Sequence, residues 1–264
     1  MEYEGYETIL VERRDRVLYL TLNRPEALNA VNGRMHTELA RIFLDAGMDD
    51  DSEVIVITGA GRAFSAGGDI PWLQSMMEHP HEFQRTGIEG KRIVMSILEA
   101  RQPVIAKVNG AAVGLGATIA LACDVVFAAE GARIGDPHVS VGFTAGDGGT
   151  ALWPALIGYA RAREYLYTGE LVPAERAAEI GLVNHVVPAD RLDEEVEAFA
   201  RRLVNGAIRA IQWTKLAVNS PLRTLASANL DTSLALESLS NMTADHREGL
   251  QAFIERRPPQ FRGR

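Results

Sequence analysis

The stretch QPVIAKVNGAAVGLGATIALACDVVFAA, from Gln102 to Ala129, decides how this chain folds. It begins with PVIAKV and ends with DVVFAA, two short apolar runs that are typical of strands buried on both faces. Between them lie a glycine-rich loop and the run GLGATIALA, whose small residues predict a tightly packed helix. This order of strand, helix and strand predicts parallel strands joined by a helical crossover.

The same pattern appears upstream. TILVERRDRVLYLTLNRP predicts two strands joined by a tight turn around Arg14 to Arg16, and EVIVITG predicts another buried strand. Helical spacing of apolar residues runs from Gly33 to Asp49 and again from about Phe83 to Leu98. The fold class expected from this alternation is α/β with a largely parallel sheet.

Beyond Pro188 the pattern changes, because residues 190–256 have helical periodicity, with a break predicted at Pro221, and no strand signal. We therefore divide the chain into a core, residues 1–190, and a C-terminal helical region, residues 191–264. The helical region carries a long apolar stripe with no obvious partner in its own chain, and such a stripe often packs on another subunit. Its members are Leu222, Leu225, Leu230, Leu234, Leu236 and Leu239.

The bulk composition limits the class of protein. The 264 residues carry a net charge of −8, which disfavours nucleic acid as a partner. The single cysteine, Cys123, excludes a disulfide framework and a cysteine-rich zinc site. The N-terminal stretch does not resemble a secretory signal, and no window is apolar enough to span a bilayer. We expect a cytoplasmic protein without a membrane partner.

The sequence has three glycine-rich loops. Two of them directly follow predicted buried strands: GAGRAFSAGGDI (Gly59 to Ile70) and VNGAAVGLGAT (Val108 to Thr118). The third is DPHVSVGFTAGDGG (Asp136 to Gly149). In an open α/β sheet such loops gather at one edge, where ligands bind. Glycines allow backbone N–H groups to approach a ligand closely, and a helix start adds the positive end of its dipole. The alternative is that these glycines serve only tight strand-to-helix turns.

These loops lack the usual nucleotide signatures. Gly114 and Gly116 give G-x-G, but Ile119 stands where the third glycine of a dinucleotide fingerprint belongs. The first loop lacks the G-K-[ST] ending of a phosphate loop. What remains is a pair of backbone-donor loops, which suits a carbonyl oxygen that becomes negatively charged during a reaction.

Five segments, in order and over nearly the whole chain, resemble the enoyl-CoA hydratase/isomerase (crotonase) superfamily. They are RPEALNAVN, GAGRAFSAGGDI, the stretch from Gln102 to Pro137, IGYARAREYLYTGELVPAERAAEIGLVNHVVP and EGLQAFIERRPPQF. The resemblance implies a spiral of ββα units, a C-terminal helical trimerisation region, and a homo-oligomer that is a trimer or a dimer of trimers. It also implies an acyl-CoA thioester substrate, with coenzyme A as part of the substrate and no other cofactor.

The resemblance further implies an oxyanion hole made by the backbone N–H groups of Gly68 and Leu115, which would hold the thioester oxygen. Comparable donors contribute about 10²–10³ each to rate. The residues that the resemblance places along the substrate and its coenzyme A are Ala66, Gly68, Asp69, Ile70, Pro71, Gly114 and Thr118.

The sequence departs from the hydratase pattern at two positions. Hydratases of this family use two glutamates as acid and base on water, and by motif position these belong at 118 and 138. Here the residues are Thr118 and His138. The threonine hydroxyl could hydrogen-bond water or substrate, but it is not a general base near neutral pH.

Asp147 offers a replacement for the missing carboxylates. The pairing of His138 with Asp147 resembles the β-diketone-cleaving branch of the superfamily, where an aspartate orients a histidine that activates water. The structural alternatives are that His138 caps a strand end, and that Asp147-Gly148 is a turn or a helix N-cap.

Three functions are consistent with these residues: an acyl-CoA enzyme that stabilises a thioester enolate, a hydrolase that cleaves a carbon–carbon bond of a β-diketone or β-ketoacyl thioester, and a non-catalytic scaffold or RNA-binding relative. The net charge argues against the last. No motif indicates a metal site.

Residues outside these loops give weaker signals. We expect Trp72, Met76 and Met77 to wall the acyl pocket, and Glu89 to be an exposed charge. His36, His185 and His246 lie in no recognisable local constellation.

Overall fold

The computed structural model describes residues 3–79, 81 and 83–264. Its strands are β1 (Ile9–Arg14), β2 (Val17–Leu22), β3 (Val54–Gly59), β4 (Ala63–Ser65), β5 (Val104–Val108), β6 (Ala111–Val113), β7 (Val125–Ala129), β8 (Arg133–Gly135), β9 (Val172–Pro173) and β10 (His185–Val187). Its helices are α1 (Gly33–Gly47), α2 (Ile70–Glu78), α3 (Phe83–Glu99), α4 (Leu115–Ala122), α5 (Gly149–Thr168), α6 (Ala174–Glu179), α7 (Leu192–Val204), α8 (Ile208–Asn241) and α9 (Ala244–Glu255). Across these residues, no helix combines the length and the apolar character that a bilayer crossing requires.

The strands form two sheets, and the order of the strands in each sheet shows how the chain winds. One sheet has six strands in the order β1-β2-β3-β5-β7-β10, and the other has four in the order β4-β6-β8-β9. Three successive strand pairs, β3–β4, β5–β6 and β7–β8, each place their first member in the large sheet and their second in the small one. This repetition confirms the expected α/β fold with a spiral of ββα units.

The large sheet is parallel from β2 to β10, and only β1 pairs antiparallel in it. Every residue of β3 is buried, as is expected of a strand with layers of side chains on both faces. The strands β4, β6 and β8 were not anticipated from the sequence. Each has three residues, which is too short for a periodicity to show.

The expected break at Pro221 is wrong, because α8 continues through this residue. Proline removes one backbone hydrogen bond, but packing on both sides of it holds the helix. Before the proline, Lys215 forms an ion pair with Asp124 at 2.9 Å and also donates to backbone oxygens of the core. After it, Ala226 and Leu230 are fully buried. Tertiary contacts therefore outweigh the local preference.

The apolar stripe of α8 is divided between its own chain and the surface. Leu230 lies in a buried cluster with Val94 and Leu98 of α3, and Leu222 and Leu234 pack against that cluster. The expectation that the stripe lacks a partner in its own chain is therefore wrong for these residues. The remaining members, Leu225, Leu236 and Leu239, are exposed.

Candidate active site

His138 lies on a short turn that follows β8. The 3₁₀ turn His138–Val141 ends at Gly142, whose φ of 66° is in the left-handed region that favours glycine. The N–H of Phe143 closes the turn by donating to the His138 carbonyl at 2.9 Å. This turn brings the imidazole inward, so that only 14% of the side chain is accessible.

Asp136 holds the imidazole from one side. Its carboxylate contacts Nδ1 of His138 directly, at hydrogen-bonding distance, and the residue is buried. The first residue of α5, Gly149, crosses over Asp136 so closely that an added Cβ would lie 2.1 Å from Oδ2. Asp136 stands two residues before His138, but no sequence pattern identified it as the partner of the imidazole.

Asp147 faces the other side of the same ring. Its Oδ2 lies 3.6 Å from Nε2 of His138, and its Oδ1 accepts a hydrogen bond from the Thr118 hydroxyl at 3.1 Å. From the sequence we expect Asp147 to be the orienting aspartate, but Asp136 occupies that place. Asp147 is not a helix cap either, because Gly148 precedes α5 and no side chain caps it. His138 therefore lies between two carboxylates.

The glycines around Asp147 are required by close contacts. An added Cβ at Gly146 would lie 2.5 Å from the Ser233 carbonyl oxygen of α8. At Gly148 it would lie 2.5 Å from the methyl group of Thr118, and φ there is 136°. This segment therefore passes between α4 and α8 with room only for backbone, which an ordinary Asp-Gly turn would not require.

The two predicted amide donors lie on loops that touch one another. A Cβ added at Gly67 would come within 3.8 Å of the Gly114 Cα, and one added at Gly114 would come within 3.4 Å of Cε1 of His138. Among the described residues, neither Gly68 nor Leu115 donates its N–H to a main-chain carbonyl. Leu115 is the first residue of α4, so its N–H has no partner within the helix.

One cavity of about 40 Å³ is lined by all four predicted catalytic residues, Gly68, Leu115, His138 and Asp147. The other lining residues are His36, Trp72, Leu73, Met76, Phe83, Thr86, Gly87, Gly90, Phe143, Leu234 and Glu237. Trp72 and Met76 thus lie where the sequence predicts, whereas Met77 and Thr118 are not among the lining residues. Thr118 lies behind Asp147 and contacts it.

A larger groove of about 740 Å³ runs between α3 and α8 and shares Phe83, Gly87 and Leu234 with the cavity. It is lined by neither of the two predicted amides nor by His138. We therefore place the chemistry in the small cavity.

Besides Asp136, two acidic residues in or next to the site were missed from the sequence. Glu89 is buried, contrary to the exposed charge we expect, and its Oε2 lies 2.9 Å from Nδ1 of His36. His36 therefore does belong to a constellation, one that becomes visible only when α1 packs on α3. Glu237 of α8 reaches the cavity from the C-terminal helical region. No local sequence pattern connects it with His138.

The residues expected along coenzyme A surround the start of α2. Asp69 precedes this helix and pairs with Arg24 at 2.9 Å, while Ile70 and Pro71 form its first turn. The N–H of Ala66 donates to the Leu28 carbonyl at 3.0 Å. These residues are partly accessible and continue from Gly68 at the edge of the cavity.

Burial and nearby charges set the protonation of the site. Burial lowers the pKa of His138, but the charges of Asp136 and Asp147 and the hydrogen bond from Asp136 outweigh it and raise the pKa to about 10. Burial raises the pKa of the Asp147 carboxyl, although His138 acts against this. Burial, with the Asp147 charge, also raises the pKa of Glu237 well above its usual range. The imidazole therefore carries a second proton at neutral pH.

The cluster has the geometry of a proton-transfer site. One ligand atom each from Asp136, His138 and Asp147 lies within 4.8 Å of the others, a spacing that would also admit a metal ion. Asp136 engages Nδ1 of His138 through a hydrogen bond, and Nε2 faces the Asp147 carboxylate. This hydrogen-bonded arrangement is that of an acid–base pair, and we interpret the cluster in this way.

Comparisons with known proteins identify the family of this chain. The model of the enoyl-CoA hydratase/isomerase family matches residues 12–264. The chain belongs to the enoyl-CoA hydratase/isomerase family. A crotonyl-CoA hydratase of Syntrophomonas wolfei subsp. wolfei is 35% identical, over 97% of this chain and 98% of that protein. The family places this protein among enzymes that bind acyl-CoA.

Solved structures of the family superpose closely on this chain. An enoyl-CoA hydratase/isomerase from Mycobacterium paratuberculosis has a TM-score of 0.91 at 40% identity, covering 94% of this chain and 99% of that one. A β-diketone hydrolase from the cyanobacterium Anabaena sp. PCC 7120, solved with (S)-3-oxocyclohexyl acetic acid, has a TM-score of 0.84 at 31% identity, covering 90% and 95%. Proteins that share this fold therefore include both an enoyl-CoA hydratase/isomerase and a β-diketone hydrolase.

The raised pKa of His138 predicts a pH dependence of stability. A histidine with a raised folded-state pKa stabilises the folded protein fully below its unfolded value, about 6.5, and this contribution disappears as the pH rises through about 10. Urea unfolding between pH 7 and 10 should therefore show a steady loss of stability. In His138→Gln the slope should be clearly smaller. Equal slopes in the two proteins would contradict the raised pKa.

Proposed function

We propose that this protein is an acyl-CoA enzyme that forms a thioester enolate, with His138 and Asp147 transferring the protons that two glutamates transfer in hydratases of the family. The observation that carries this proposal is the shared cavity of Gly68, Leu115, His138 and Asp147. The amide N–H groups of Gly68 and Leu115 are free to bind a thioester oxygen. Negative charge that develops on this oxygen would be stabilised by preorganised donors.

His138 and Asp147 have complementary roles in the proposed reaction. The imidazolium Nε2–H is the acid and the Asp147 carboxylate is the base. In a hydration, water gives a proton to Asp147 and its oxygen adds to the β-carbon, while the alkene electron pair moves into the enolate. The α-carbon then takes a proton from Nε2, which restores the thioester. In an isomerisation, the same two groups remove a proton and return it elsewhere.

Thr118 explains how a carboxylate reaches this place without a glutamate in α4. Its hydroxyl donates to Oδ1 of Asp147, so the residue at the family's glutamate position holds the replacement carboxylate. Asp136 fixes the ring through Nδ1 and favours its protonated form. The acid and the base thus come from the same glycine-rich segment.

Carbon–carbon bond hydrolysis is the second candidate. It is favoured by a histidine held by an aspartate and by the similarity to the β-diketone hydrolase from Anabaena. In this reaction water adds to a β-carbonyl carbon, the bond to the α-carbon breaks, and the enolate that leaves is held by the same amides. A scaffold or RNA-binding role has no comparable support, and the net charge of −8 opposes it.

We also propose that the protein is a homo-oligomer, a trimer or a dimer of trimers. Large apolar side chains of α8 and α9 are exposed in the single chain, among them Leu236, Leu239 and Phe253. Light scattering at micromolar concentration should give three or six times the chain mass. A monomer under these conditions would contradict the proposal.

The proposed chemistry predicts the kinetics of two variants. His138→Ala and Asp147→Asn should each lower kcat about 10²–10⁴-fold on the best substrate, because each removes one proton-transfer group. The substrates to compare are an enoyl-CoA, a 3-hydroxyacyl-CoA and a β-ketoacyl-CoA of equal chain length, with a cyclic β-diketone as the fourth. His185→Ala, on the exposed surface of β10, is the matched control and should keep full activity.

The product distinguishes the two candidates. Interconversion of enoyl-CoA and 3-hydroxyacyl-CoA, or movement of the double bond, supports the primary proposal. Release of a shorter acid and a shorter thioester from the β-ketoacyl-CoA, or opening of the cyclic β-diketone to an oxo acid, supports hydrolysis. Full activity of His138→Ala on the best substrate would remove the imidazole from the mechanism.

A further inference from the structure

Glu237 is the one acidic residue lining the cavity that the proposed reaction leaves unused, and its carboxyl group has no hydrogen-bond partner among the described residues. It lies on α8, is 5% exposed and lines the same small cavity as His138 and Asp147. Its Oε2 is fully buried and makes no hydrogen bond. The backbone of Gly146 packs against this side chain, with a would-be Cβ 2.6 Å from the Glu237 Cβ. The side chain is thus held in place by packing.

An unpaired polar group in such a place is unfavourable. Much of the surrounding wall is apolar, formed by Leu234, Phe83 and Phe143. A buried oxygen without a partner has lost its hydrogen bonds to water and forms none within the protein. Such groups are therefore rare and usually indicate a ligand or a function. A purely alkyl acyl group would leave Glu237 in this state when it displaces water from the cavity.

We infer that Glu237 binds an oxygen substituent of the acyl group, and that the preferred substrates are acyl-CoA thioesters with a keto or hydroxyl oxygen at carbon 3 or beyond. This inference rests on the proposed function, since it assumes an acyl-CoA thioester in this cavity. The carboxyl group would meet the substituent from α8, the helix that packs against the glycine-rich segment carrying Asp147. Substrate selection would then come from the C-terminal helical region and proton transfer from the core.

The charges around Glu237 favour its neutral form as a hydrogen-bond donor. Asp147 and Asp136 face it from the glycine-rich segment and raise its pKa together with burial, while His138 acts in the opposite direction. A neutral carboxyl group can donate to a keto oxygen and accept from a hydroxyl group. Glutamine has the same shape and the same two capacities, whereas leucine has neither.

The test compares binding rather than turnover. Dissociation constants of pentanoyl-CoA and of its 3-oxo, 4-oxo and 4-hydroxy derivatives would be measured in a competition binding assay. Wild-type protein should bind at least one oxygenated ligand about 10- to 100-fold more tightly than pentanoyl-CoA. Glu237→Gln should keep this preference, and Glu237→Leu should lose it while still binding pentanoyl-CoA. Asp231→Leu, an exposed position on the same helix, is the matched control and should behave as wild type.

The outcomes separate the inference from the proposed function. Equal affinity of wild type for all four ligands, or a preference that persists in Glu237→Leu, overturns the inference and leaves the proposed function intact. Failure of wild type to bind any of the thioesters overturns the proposed function itself. If circular dichroism shows that Glu237→Leu is unfolded, Glu237→Met takes its place with the same expected loss.

Discussion

The position of the His138 imidazole between two carboxylates is the constraint on which the rest of the site depends. Asp136 contacts Nδ1 and Asp147 faces Nε2, so the ring is held in one orientation and in its protonated form. Both carboxylates are buried, where a charge without partners would be costly. The imidazolium supplies the opposite charge that both carboxylates face.

The fold makes this arrangement possible through backbone that passes very close to its neighbours. Gly146, Gly148 and Gly149 leave room for α8, Thr118 and Asp136 respectively, and a methyl group at any of them would force a shift. Gly114, with φ of 54° and ψ of −124°, lets α4 begin directly beneath the imidazole. The turn at Gly114 thus places the start of α4 beside the imidazole, and the close packing of the third loop brings Asp147 to the same place.

Much of the fold could be predicted from the sequence, because the buried strands β3 and β5 and the small-residue helix α4 have strong local signatures. The three-residue strands of the second sheet and the continuous α8 could not, since both depend on tertiary contacts. The same reason applies to the site. His138, Asp147 and the two amides belong to recognisable motifs, whereas Glu237 and the His36–Glu89 pair come together only when distant helices pack. Asp136 was near enough in sequence to be considered, but only the geometry shows which nitrogen it holds.

Exchange of the α-hydrogens of a saturated acyl-CoA in deuterated water tests the central claim most directly, because it reports enolate formation without requiring any particular overall reaction. The substrate would be butanoyl-CoA, followed by proton NMR at neutral pH. We predict enzyme-dependent loss of the α-hydrogen signal with wild-type protein, and loss of this activity in His138→Ala, because the imidazole is the group that exchanges a proton with the α-carbon in the proposed hydration. Absence of exchange in wild-type protein that demonstrably binds butanoyl-CoA would contradict the account.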